Sequence, residues 1–190
     1  VSKRLLPFAV AALAACAHRP PAAPAPDADE LAIYAAVVDS VLAAPGVPFV
    51  VIADSTSTSH DSGEQLRSTV RELDPTFPDA ALTDFDARNR RAAPLPADIH
   101  ASVPVRIFSP ARLFVPDGNL RQEYATFLST YAPATGFHTV SRPGIDPERR
   151  RAVVVVGSHC GALCGHGQVV LLERGAGGWH VTARRGTWVS

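Results

Sequence analysis

The sequence predicts an α+β fold in which helices pack on a C-terminal antiparallel β-sheet ordered as a meander. Three observations carry that expectation. Apolar residues recur at helical spacing through much of the chain, in sets such as Leu66, Val70 and Leu73, or Leu120, Tyr124, Phe127, Leu128 and Tyr131. Beyond them the pattern changes to short β-branched runs, AVVVVG at 152–157 and QVVLLER at 168–174. Finally, 46% hydrophobic residues in a chain of 190 suffice to bury one core, and no internal repeat divides it.

The first helix is expected over 28–43. Asp27 and Glu30 have the spacing of a capping box, Leu31, Tyr34, Val38, Val41 and Leu42 mark an apolar face, and Pro45-Gly46 stops it. Residues 48–53 (PFVVIA) read as a buried strand, being short, β-branched and bounded by breakers. The hydroxyl-rich stretch that follows contains Ser59, His60 and Asp61 side by side. Members of a catalytic triad meet from separate elements, so this stretch reads as a polar turn. A second helix over 63–73 has Ser62 and Gln65 as its capping residues. A third over 78–89 opens with Pro78, and Arg88, Arg90 and Arg91 complement its dipole at the far end. Residues 92–101 are irregular, and 103–108 (VPVRIF) form an edge strand, because Pro104 has no N–H to give a ladder. The aromatic stripe of the helix over 120–131 reads as core, and Pro133 and Gly136 end it. The sheet then takes 137–142, a turn at Pro143-Gly144, a hydrophilic loop at 146–151, the two apolar runs, a glycine-rich turn at 175–178, and strands at 179–183 and 187–190.

Ahead of the domain lies an address. Lys3 and Arg4, then the apolar stretch 5–13 (LLPFAVAAL), then Ala14 and Ala15 follow the order of a secretory signal. At about 1.5 Å per residue the apolar stretch is roughly half a bilayer core long, too short for a spanning helix. Leu13-Ala14-Ala15-Cys16 resembles the lipobox of bacterial lipoproteins. That resemblance implies a signal peptide over 1–15, cleavage after Ala15, and an acylated Cys16 anchoring the protein in the bacterial cell envelope. Ala17 in place of Asp then favours the outer membrane of a Gram-negative host, facing the periplasm. Residues 16–27 are the acylated cysteine and a Pro/Ala-rich tether, whose prolines at 20, 21, 24 and 26 stiffen it. Such a spacer reaches roughly 30 Å. Residues 28–190 form a single α+β domain. The expected partners are the membrane, through the lipid, and an envelope protein or small ligand. With 18 basic and 18 acidic residues the formal net charge is zero, which provides no overall attraction for nucleic acid or an anionic membrane. The arginines are dispersed among Asp and Glu and read as a solvated surface.

The chemistry concentrates at 157–167 (GSHCGALCGHG). With Cys16 acylated, Cys160 and Cys164 remain, an even number in an oxidising compartment, and the intervening residues are enough to loop into a disulfide. One alternative is a metal site of His159, Cys160, Cys164 and His166, whose thiolates and imidazoles suit Zn²⁺ or Cu⁺. Another is a redox dithiol, against which the spacing is CxxxC rather than CxxC. The sequence has no glycine-rich phosphate loop, no HExxH and no GxSxG, so no catalytic residue and no cofactor is assigned. His100, His138 and His180 stand alone, and Trp179 and Trp188 read as packing residues.

The run AVVVVGSHCGALCGHGQVVLLERGAGGWHV resembles the C-terminal region of a group of bacterial secreted proteins. They share an apolar strand, a CGxLCGxG loop, a strand ending in Leu-Glu-Arg or Leu-Glu-Lys, and a Trp-x-Val strand. The matching residues are Cys160, Gly161, Leu163, Cys164, Gly165, Gly167, Leu172, Glu173, Arg174, Trp179 and Val181. The group often has Ser-Arg-Val-Gly-Phe where this chain has Ser141-Arg142-Pro143-Gly144-Ile145. The resemblance implies a domain type and carries no activity with it. The functional expectation is a lipid-anchored envelope module that binds or supports and does not catalyse. The alternative is a metal-handling or thiol-redox protein using the Cys160/Cys164/His159/His166 loop.

Overall fold

The computed structural model describes residues 25–58, 63–161 and 163–190. The expected signal, Cys16 and most of the tether lie outside these, as do Ser59, His60, Asp61, Ser62 and Ala162.

Helix α1 (Ala28–Val37) starts where expected: the Asp27 carboxylate accepts the N–H groups of Asp29 and Glu30, each at 3.0 Å. Glu30 does not reach back to complete a capping box; its side chain turns inward. The helix continues through a wider, π-helical turn (Val38–Leu42), closed by the Ala43 N–H on the Val38 carbonyl at 2.8 Å. Its most buried face is Ile33, Tyr34, Val37 and Val38, whereas Leu31 and Val41 are half-buried. Helices α2 (Gly63–Leu73) and α3 (Asp79–Arg88) follow their sequence pattern, burying Leu66, Val70, Ala81, Leu82 and Phe85. A single turn, α4 (Pro110–Leu113), was not anticipated. Helix α5 (Leu120–Thr130) is capped by Asn119, whose Oδ1 accepts the Gln122 N–H at 3.2 Å. Only part of its stripe is core. Phe127 is fully buried, Tyr124 and Tyr131 half-buried, and Leu120 (51% exposed) and Leu128 (40%) face outward. Among the described residues no helix is long and apolar enough to cross a membrane.

Seven strands form one mixed sheet: β1 (Val50–Ala53), β2 (Val105–Phe108), β3 (Phe137–Val140), β4 (Gly144–Ile145), β5 (Arg151–Gly161), β6 (Cys164–Gly175) and β7 (Gly178–Val189). The order is β2-β1-β3-β5-β6-β7, with β4 also on β5. The α+β class holds, and β5, β6 and β7 run as an antiparallel meander. The sheet is nevertheless neither wholly C-terminal nor wholly antiparallel. The chain between β1 and β2, which includes α2 and α3, brings β2 back to start at the same end as β1, and β1 lies parallel to both β2 and β3.

Pro143-Gly144 is not a turn. After β3 the ladder on β5 is interrupted, then resumes as β4 on the same strand. Pro143 lacks the N–H that an unbroken ladder would need. Ser141 bridges the gap, its N–H donating to the Val155 carbonyl and its Oγ accepting the Val155 N–H, both at 2.9 Å. Arg142 leaves the ladder, and Asn89 at the end of α3 satisfies both of its backbone groups, at 2.8 and 2.9 Å. Gly144 is required because a Cβ there would collide with the Ala81 carbonyl and Phe85 of α3.

Helix α1 covers one face of the sheet, over Val50, Ile52, Val140, Val154, Val156, Val170 and Leu172. On the other face α2 and α3 cover Val153, Val169 and Leu171, and α5 covers Phe49, Val51, Phe108 and Phe137. Arg142 corrects the view of the arginines as solvated surface. Its side chain is 6% exposed and grips Glu30 (2%) with two hydrogen bonds, Nε to Oε1 at 2.9 Å and the second guanidinium nitrogen to Oε2 at 2.6 Å. Those bonds hold the guanidinium pKa above its usual range. Arg88 adds a contact to Glu30 at 3.2 Å and another to Asp84 at 2.7 Å, and Asp84 accepts the Ile145 N–H at 2.9 Å.

Candidate functional site

The segment 157–167 is mostly strand, the far end of the β5–β6 hairpin. Cys160 and Cys164 are joined as a disulfide across that end, with their Cα atoms 5.1 Å apart, and Leu163 at the tip is 87% exposed. Register decides what each side chain meets: Ser158 pairs with His166, His159 with Gly165 and Gly157 with Gly167. Because side chains alternate along a strand, His159 and the three glycines share one face, while Ser158 and His166 share the other.

On the first face the His159 ring stacks on Phe137, with centroids 4.9 Å apart and planes at 17°. Its Nε2 lies 3.5 Å from Thr139 Oγ1, and Trp188 stands 5.9 Å away. The Trp188 indole crosses the glycines; a Cβ on Gly167 would overlap it. The glycines are there because an aromatic plane lies on them, not because the chain turns. Burial, with His166 adding to it, lowers the His159 pKa.

On the second face His138 Nδ1 lies 2.9 Å from Ser158 Oγ. Burial pushes the His138 pKa down to about 4, and His159 and His166 push it the same way, so the ring is neutral at physiological pH. His138, Ser158 and His166 open into a cavity of about 290 Å³. Its apolar wall comes from Val41 and Leu42 of the π-helical turn, Val47, and Phe49, Val50 and Val51 at the start of β1; Thr135, Gly136 and Cys160 close it. The widened turn brings Val41 and Leu42 to this wall, and π-helical turns recur at functional sites.

Of the residues singled out in the sequence, Cys160 and Cys164 are together, bonded to each other. His159 and His166 lie on opposite faces of the sheet, and the disulfide occupies both sulfurs that a metal site would need. Among the described residues no three His, Cys, Asp or Glu side chains are grouped to hold a metal ion. Cys16 lies outside the described residues. His138 does not stand alone, as the sequence suggested; only the β3–β5 register, His138 opposite Ser158, brings the pair together. His100 and His180 are exposed. Trp179 is buried, and its Nε1–H donates to Asp29 at 3.3 Å. Burial alone would raise the Asp29 pKa, but hydrogen bonds from Arg149 and Trp179 outweigh it and hold the carboxylate below its usual range.

The arrangement brings His138, His166 and the Ser158 hydroxyl to one end of an apolar hollow that His159 also lines. Among the described residues no carboxylate hydrogen-bonds His138, so the Ser158–His138 pair lacks the third member that orients the base in a triad. No protein-family model matches the chain, and neither a curated protein nor a solved structure matches it.

Proposed function

We propose that this protein is a lipid-anchored module of the bacterial cell envelope that binds a small, uncharged, largely apolar ligand in the cavity beneath the disulfide-closed hairpin. The observation that carries the binding reading is that cavity, with apolar walls and one polar end built from His138, Ser158 and His166. Sites of this composition, a hollow with a few convergent polar groups and a perturbed titratable residue, are where small ligands bind. A neutral imidazole matches an alcohol or carbonyl and offers no charge to an ion. The location rests on the order Lys3-Arg4, LLPFAVAAL, then Leu13-Ala14-Ala15-Cys16. The Cys160–Cys164 disulfide agrees with an oxidising compartment.

The binding test uses 1-hexanol as the probe, followed by saturation-transfer NMR on the full chain in detergent. At seven heavy atoms its dissociation constant should be about millimolar. His138→Phe, which fills the polar end, should abolish the transfer; equal transfer in the variant would overturn the site. The anchor test is palmitate labelling with membrane fractionation. Cys16→Ala should lose both label and membrane association, and retention of either would overturn the lipid anchor.

A further inference from the structure

Past the carboxyl ends of the parallel strands β1 and β2 lies a second cavity, of about 410 Å³. Crevices beyond the ends of parallel strands are where such sheets take ligands, because the chain leaves adjacent strands in different directions there. The walls are Ile107, Phe108, Leu113 and Tyr131, with the Phe108 and Tyr131 rings edge to face at 5.7 Å. Two charged residues also line it: Asp54, the first residue after β1, and Arg112 of α4. Among the described residues neither side chain has a hydrogen bond or ion pair, with the other or with anything else. The Asp54 backbone, by contrast, is fixed on both sides: its N–H donates to the Phe108 carbonyl at 2.7 Å, and its carbonyl accepts the Leu95 N–H at 2.8 Å. A carboxylate and a guanidinium that share a cavity without pairing are available to a guest carrying both opposite charges.

We propose that this cavity binds a zwitterionic α-amino acid with an apolar side chain. Asp54 takes the ammonium group, Arg112 takes the carboxylate through parallel N–H donors, and the aromatic and aliphatic walls take the side chain. A ligand with one charge leaves the other protein charge unmatched, so discrimination against such ligands is built into the pair. This site lies at the opposite end of β1 from the part that lines the His138 cavity, and the inference does not depend on that cavity being occupied.

The test is calorimetric titration of the full chain in detergent with L-leucine, N-acetyl-L-leucine, which lacks the ammonium, and L-leucinamide, which lacks the carboxylate. L-leucine should bind, and each analogue should bind at least tenfold more weakly. Asp54→Asn and Arg112→Gln should each weaken L-leucine at least tenfold. In Arg112→Gln, L-leucine and L-leucinamide should become equivalent. Absence of L-leucine binding, or equal binding of all three compounds to the wild-type chain, would overturn the proposal. The analogue series decides the matter even where a variant fails to fold. Saturation transfer to 1-hexanol should be unchanged in both variants, which separates failure of this site from failure of the other.

Discussion

The two ends of β5 are built on opposite principles. At the Arg151 end charged side chains are tied to opposite charges, to a ring face or to backbone N–H groups. Arg151 pairs with Asp74 and covers the Phe77 ring at 5.3 Å, Asp146 accepts the Arg150 and Arg151 N–H groups, and Glu30 holds Arg142 a strand away. At the His159 end there are imidazoles, hydroxyls and glycines, and hollows remain on both faces. Charges paired with one another, as Glu30 is with Arg142, spend most of their bonding capacity on the fold. Neutral, partly satisfied groups beside apolar walls keep that capacity. One end holds the fold together, and the other is where binding is proposed.

The sharpest way to break this contrast is to remove one partner of the buried pair. Arg142→Met takes both hydrogen bonds of the guanidinium from the buried Glu30 carboxylate, leaving it the Arg88 contact at 3.2 Å, and should cost about 3 kcal/mol in urea unfolding. The double change Glu30→Leu with Arg142→Met should recover a large part of that loss, because both charges leave together. If the double variant is as unstable as the sum of the single ones, the pair is not what fixes this end.

Acid should act on the two ends in different pH ranges. The His138 pKa is pushed from 6.5 down to about 4 in the folded state. Between those values the unfolded chain binds more protons than the folded one, so stability is full above pH 6.5 and declines as pH falls towards 4. The loss is at most ~3 kcal/mol, and His138→Phe should flatten it. At the other end hydrogen bonds from Thr76 hold the Asp74 pKa below 3.8, so its contribution is lost only in stronger acid. Amide exchange measured across this range should report the hairpin end opening first. Simultaneous opening of both ends would contradict the separation.

Two smaller effects sharpen it further. Gly144→Ala forces α3 off β4 and should cost about 1–3 kcal/mol, whereas Gly177→Ala, with nothing within 4 Å of the new carbon, should be close to neutral. Replacing both Cys160 and Cys164 with Ser should cost about 2 kcal/mol or less by thermal unfolding, since closing so short a loop constrains the unfolded chain little. A much larger loss would mean that the hairpin end, too, holds the fold together.

The same contrast explains what the sequence disclosed. Helices α2, α3 and α5 were legible because their apolar spacing is local. The parallel partners of β1 were not, because a four-residue apolar run does not state its neighbour. The Glu30–Arg142 pair spans 112 positions, and each member had a plausible local role, one as a cap residue and the other as surface charge. At the hairpin the cysteine pair was legible from count and spacing. The length of the strands was not, because glycines that make room for Trp188 look like loop glycines. His138 and Ser158 meet only through strand register, which a single sequence does not print.

The most direct test of the binding reading is a backbone amide shift map of the full chain during a 1-hexanol titration at pH 7. Shifts confined to residues 41–51, 134–138 and 158–166, with the amides around Arg142 and Arg151 unmoved, are the expected result. No shift at the hairpin end, or shifts centred on the Glu30–Arg142 network, would contradict it.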